Sequence, residues 1–73
     1  MSYYKSVIMN KVRKGQIVDL DLSNGLGVII DENGQDIPFE LNEKLAEVGI
    51  NAEVNFQIEL GQKGLRAVEI ELN

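Results

Sequence analysis

Residues Gly15 to Phe39 read GQIVDLDLSNGLGVIIDENGQDIPF, and this stretch decides the fold class. Ile17, Val18, Leu20 and Leu22 alternate for the most part with Asp19 and Asp21, the period-2 pattern of a strand buried on one face. Ser23-Asn24-Gly25 supplies a reversal, because Asn and Gly tolerate the left-handed backbone that tight turns need. Leu26–Ile30 resumes as a second strand with Gly27 inside it, a position that signals a bulge, a bend or the close approach of another backbone. Asp31-Glu32-Asn33-Gly34 turns the chain again, and its Asn-Gly pair is the strongest hairpin signal present. A third strand follows over about Gln35–Leu41. Pro38 cannot donate to a ladder, which places it at an edge, at a bulge or with its missing N–H facing outward.

Working outward, Asn42 is suited to cap a helix of at most two turns, with Glu43 at its positive end and Gly49 closing it. Ala52–Leu60 alternates cleanly, with Val54, Phe56, Ile58 and Leu60 inward against Glu53, Asn55, Gln57 and Glu59. Gly61-Gln62-Lys63-Gly64 turns the chain into Leu65–Leu72, where Val68, Ile70 and Leu72 fall on one face and Ala67, Glu69 and Glu71 on the other. Five short strands in 73 residues define an all-β chain, and closing them into a barrel removes most exposed edges. An SH3-like barrel fits the strand count as well.

The chain has room for one domain. It holds no cysteine and no histidine, so disulfides, thiolate metal sites and the commonest general base are all missing. No nucleophile–base pair occurs, and the expectation is a protein that is not an enzyme and carries no cofactor, no metal and no small-molecule substrate. The acidic run Asp31–Asp36 lacks the ligand order and distal glutamate of a calcium loop, and Asn24-Gly25-Leu26-Gly27 lacks the lysine of a phosphate-cradling loop. Val7-Ile8-Met9 is too short for a leader or a membrane span, which makes the expected setting cytoplasmic.

Net charge is −5, yet it is unevenly placed. Residues 1–18 contain Lys5, Lys11, Arg13 and Lys14 and no carboxylate, a charge of +4; the remainder sets Lys44, Lys63 and Arg66 against all twelve carboxylates, a charge of −9. An acidic body disfavours a polyanionic partner, whereas the basic end offers an anion-facing edge.

Gly15, then Gly25-Leu26-Gly27-Val28-Ile29, then Gly34-Gln35-Asp36-Ile37 keep the spacing of the bacterial cold-shock domain, which this chain resembles. That family reads G-x-V-x-W-F-N, K-G-F-G-F-I and D-V-F-V-H-F over the three segments, and Asn55–Ala67 resembles its last hairpin. The resemblance implies a small five-stranded antiparallel OB-fold barrel over residues 11–73, with a short helical turn between strands 3 and 4 and residues 1–10 as an N-terminal extension. It also implies binding of single-stranded RNA or DNA, with Lys11, Arg13, Lys14, Lys63 and Arg66 tracking the backbone and Leu26 and Val28 at stacking positions.

The departures from the family bear on that function. Asp19 stands where the family has tryptophan, Leu26 and Val28 where it has phenylalanines, Asn24 where it has lysine, and Pro38, Glu40 and Leu41 on its third-strand aromatic and histidine positions. Each stacked base is worth roughly 1–3 kcal/mol, so losing several leaves a weak binder at most. Phe39 and Phe56 are read as core. Tyr3 and Tyr4 beside Lys5 are read first as part of a flexible or core-covering arm, with stacking on a base as the other reading. The other reading is a diverged barrel that has lost nucleic-acid binding and serves as a protein-interaction module through Val18, Leu26 and Val28, provided the extension does not cover them.

Overall fold

The computed structural model describes residues 7–62 and 64–73, with side chains from residue 11 onward. The readings placed on Tyr3, Tyr4, Lys5 and Lys63, and the folding of the first residues over the sheet, lie outside the described residues.

Five strands and one short helix follow in the order β1 (Val7–Asp21), β2 (Leu26–Asp31), β3 (Asp36–Glu40), α1 (Glu43–Val48), β4 (Glu53–Gly61) and β5 (Gly64–Leu72). They close into a barrel in the order β1-β2-β3-β5-β4, the connectivity of an OB-fold. Four seams are antiparallel; the fifth, β3 to β5, is parallel and pairs Phe39 with Ala67. The crossover through α1 and β4 brings β5 back in the direction of β3, so the seam that closes the barrel has to be parallel.

β1 is one strand serving two seams. Its first half pairs with β4 from Val7 opposite Leu60 to Gln16 opposite Glu53, and its second half pairs with β2 from Gly15 opposite Asp31 to Asp21 opposite Leu26. The strand therefore runs back to Val7, well before Gly15, and takes four residues of the expected extension into β1, three of them, Val7, Ile8 and Met9, paired with β4. Gly15 is the junction. A Cβ there would fall 2.6 Å from the Ile30 carbonyl oxygen and 2.9 Å from the Phe56 ring, so only glycine lets β2 and β4 approach β1 together.

Gly27 answers to a different neighbour. It lies opposite Phe39, and a Cβ would stand 2.4 Å from that ring, so the aromatic fills the space a side chain would take. Phe39 joins Ile17, Ile29, Ile37, Leu45, Val54, Phe56, Ile58 and Ala67 in the buried core, and both phenylalanines are core residues. Leu45 reaches this core from α1, whose cap is Asn42: its side-chain oxygen accepts the Leu45 N–H at 2.8 Å.

Two alternation readings need correction. On β5, the register shifts opposite Asn55–Gln57, where Glu69 takes φ +52°. The bulge flips the strand's parity, so Ala67 and then Ile70 pack on the core while Val68 shares no face with Ile70, and Leu72 is 55% exposed. On β4, Leu60 is 40% exposed near the hairpin end, opposite Val7 of β1 and Leu65 of β5.

Candidate functional site

The outer face of β1-β2-β3 is set by register. Residues directly opposite one another across an antiparallel pair point to the same side. Inward parity belongs to Gly27, Ile29, Ile37 and Phe39, which leaves three rows outside: Asp21–Leu26–Glu40, Asp19–Val28–Pro38 and Gln16–Ile30–Asp36. Leu26, Val28 and Ile30 thus form an aliphatic stripe along β2, with Asp19 and Asp21 on one side and Asp36 and Glu40 on the other. Leu26 is 47% exposed.

Leu26 and Val28 accordingly stand on the exposed face. Val18 does not share their ladder. The register shifts between Ile17 and Asp19, so Val18 is the extra residue of a bulge, and Asp19 rather than Val18 opposes Val28. The bulge is also why two adjacent apolar residues, Ile17 and Val18, occur where strict alternation would place one.

Beside the stripe, where β3 and β5 meet at a single pair, a groove of about 470 Å³ opens between β2-β3 and the β4-β5 hairpin. Leu26, Pro38 and Leu65 give it apolar walls, and Glu40 and Arg66 stand at its rim. Pro38 is tolerated there because β3 meets β5 at one pair only, Phe39–Ala67, so the position beside it is a near-edge site of the kind that accepts a residue without an N–H.

Arg66 is held by two carboxylates. Its Nε donates to Glu59 at 2.7 Å and its Nη1 to Glu40 at 3.3 Å, tying β5 to β4 and to β3. The hydrogen bond and charge of Glu59, and to a lesser degree the charge of Glu40, raise the guanidinium above its ordinary value. A phosphate approaching Arg66 must compete with both.

The remaining basic candidates lie elsewhere. Lys11 and Lys14 are exposed on the first half of β1, whereas Arg13 sits opposite Phe56 with its Nε buried and without a hydrogen-bond partner among the described residues. Lys14 faces Asn55 on β4, and Asn55 faces Glu71 on β5; the route from the β1 cations to Arg66 crosses Glu59. Lys11, Arg13 and Lys14 are therefore not joined to Arg66 in one basic surface.

The hairpin ends are built by short acids. Asp21 accepts the Asn24 N–H at 3.2 Å and its side-chain amide at 2.7 Å, which holds the Asp21 carboxyl below its ordinary 3.8. Asp31 accepts the N–H groups of Asn33 and Gln35, each at 2.9 Å. Neither arrangement gathers ligands: among the described residues no three His, Cys, Asp or Glu side chains are placed to hold a metal ion. Nor is any described helix long and apolar enough to cross a membrane.

Asp21, Ile30, Asp36 and Leu65 complete the face and its groove without having been singled out from sequence. Once the two hairpins are paired, the rows follow from counting back from the turns, so the signal was present in the turn positions. Leu65 was reachable only through the barrel's closure. The fold and face define a small OB-type barrel with an acidic, aliphatic outer surface. No protein-family model matches the sequence, and no curated protein matches it at a significant level.

Proposed function

We propose that this chain is a non-catalytic protein-interaction module that uses the outer face of β1-β2-β3. The observation that carries the reading is the aliphatic stripe Leu26–Val28–Ile30 flanked by Asp19, Asp21, Asp36 and Glu40. Aliphatic surface supplies contact area without base stacking, and four carboxylates repel phosphates while attracting Lys and Arg. The complementary ligand is an extended protein segment that alternates aliphatic and cationic residues.

A synthetic hexapeptide of alternating lysine and leucine is the probe. Titrated into the labelled protein, it is expected to shift the amide resonances of β2 and β3, and Leu26→Asp is expected to weaken it at least tenfold with the fold unchanged. Leu26→Asp adds negative charge, so its loss of binding separates apolar docking from plain charge attraction. Equal binding of oligolysine, or shifts confined to other strands, would count against the reading.

The exposed pair Lys11 and Lys14 on β1 favours a second reading, weak binding of single-stranded RNA or DNA, as the resemblance to cold-shock domains implies. Labelled oligonucleotides at low salt test it: saturable binding, tighter than about millimolar and falling with added salt, supports it. Absence of such binding removes it.

A further inference from the structure

We propose that copies of this chain associate segment to face, the first half of β1 in one copy docking on the β1-β2-β3 outer face of another. The inference rests on the preceding reading of that face and names its partner as a second copy. Lys11, Val12 and Lys14 are all exposed on a strand that pairs, over residues 7–14, only with β4 among the described residues; Val12 is 59% exposed. They form an extended segment in which an aliphatic residue lies between cations. Its chemistry complements the stripe of Leu26, Val28 and Ile30 between Asp19, Asp21, Asp36 and Glu40.

The charge partition of the chain points the same way. Its first eighteen residues carry +4 and the rest −9, yet every ion pair among the described residues belongs to Arg66. Neither Lys11 nor Lys14 has found a carboxylate within its own barrel. β1 is the reason: Lys11 and Asp19 belong to one continuous strand and stand about 26 Å apart along it at ~3.3 Å per residue. Lys14 lies two residues before Gln16, at the edge of that face, and still has no carboxylate within ion-pair distance there, so the charge of the segment is left available to a second molecule. The contact either closes reciprocally in a two-fold dimer, each segment on the other copy's face, or propagates into a ring or an open chain.

The test is a mixing experiment followed by sedimentation equilibrium. The wild-type protein is expected to exceed its monomer mass of 8.1 kDa increasingly with concentration at low salt. It should return to the monomer near 1 M salt, where the screening length is about 3 Å. Lys11→Glu with Lys14→Glu removes the docking segment, and Asp19→Asn with Asp36→Asn removes the charge of the face without making it a partner for the reversed segment; each double variant alone is expected to be monomeric. Mixed, they retain one intact segment and one intact face, and should form a pair that grows no further. Val12→Gln and Leu26→Gln, which leave the charge untouched, form a second such pair should a charge reversal disturb folding.

A wild-type chain that stays monomeric up to about 1 mM at low salt overturns the proposal. Association without a mixed pair overturns it as well, since that marks a contact that does not join segment to face. Binding of the lysine–leucine hexapeptide to a strictly monomeric protein would leave the face's protein-binding role standing while removing the second copy as its partner.

Discussion

Gly27 and Phe39 make one packing unit out of two residues on neighbouring strands. The ring occupies the volume that a Cβ on Gly27 would enter at 2.4 Å, and it is part of the core on which the barrel closes. Gly27→Ala should cost about 1–3 kcal/mol in urea unfolding, the usual cost of overfilling a packed site. Combining it with Phe39→Leu should recover part of that cost, which a double-mutant cycle would register as coupling. An additive result would show that the ring has room to move aside. Leu26, one residue earlier, behaves oppositely: being exposed, Leu26→Gln should leave stability within about 0.5 kcal/mol, whereas Leu26→Asp, set between Asp21 and Glu40, should cost about 1 kcal/mol. The Asp21 carboxyl, lowered by the hydrogen bonds from Asn24, adds pH dependence of definite sign. Its ionised form is favoured by folding, so the contribution is complete above the ordinary carboxylate range and lost as pH falls through the lowered value. In Asn24→Ala, which keeps the backbone N–H, the Asp21 resonance should titrate closer to 3.8, while an unchanged midpoint would reject the Asn24 side-chain amide as the main cause.

At the level of elements, the hairpin signals carried the most reliable information. Asn24-Gly25 and Asn33-Gly34 place φ values of +68° and +82° on glycine, and the strands they join pair in the register counted from those turns. The Asn42 cap was legible for a similarly local reason, and Asn42→Ala should destabilise the protein by about 1 kcal/mol. β1 was less legible. Its first half mixes Val7, Ile8, Met9 and Val12 with polar residues in no period of two, because the register against β4 shifts between Met9 and Arg13. β5 was misread for the same kind of reason: alternation assumes an unbroken ladder, and the bulge at Glu69 breaks it. Glu69 holds φ +52° without being glycine, a strain of roughly 1–2 kcal/mol that glycine relieves at an entropic cost of about 0.5–1 kcal/mol. Glu69→Gly should therefore be neutral to mildly stabilising in thermal unfolding, and a clear loss of stability would mean that the Glu69 side chain has a role of its own.

For the whole molecule, charge is the property that the barrel rearranges most. The contrast between a +4 end and a −9 remainder is already present in the linear sequence, along with five strands, their turns and the absence of histidine and cysteine. These are local matters of period, turn chemistry and composition, and a sequence determines them by itself. Closure decided the rest, because it brings together residues that are distant along the chain. It placed Asp21, Leu26 and Glu40 in one outward row, sent Arg66 to Glu59 and Glu40, and opened the groove where β3 and β5 touch at a single pair. It also assigned the two halves of β1 to different seams, β4 for the basic segment and β2 for the acidic face, with Gly15 and Gln16 shared by both. Periodicity shows which residues share a face of one strand; which strands become neighbours, and hence which charges meet, follows only from how the barrel closes.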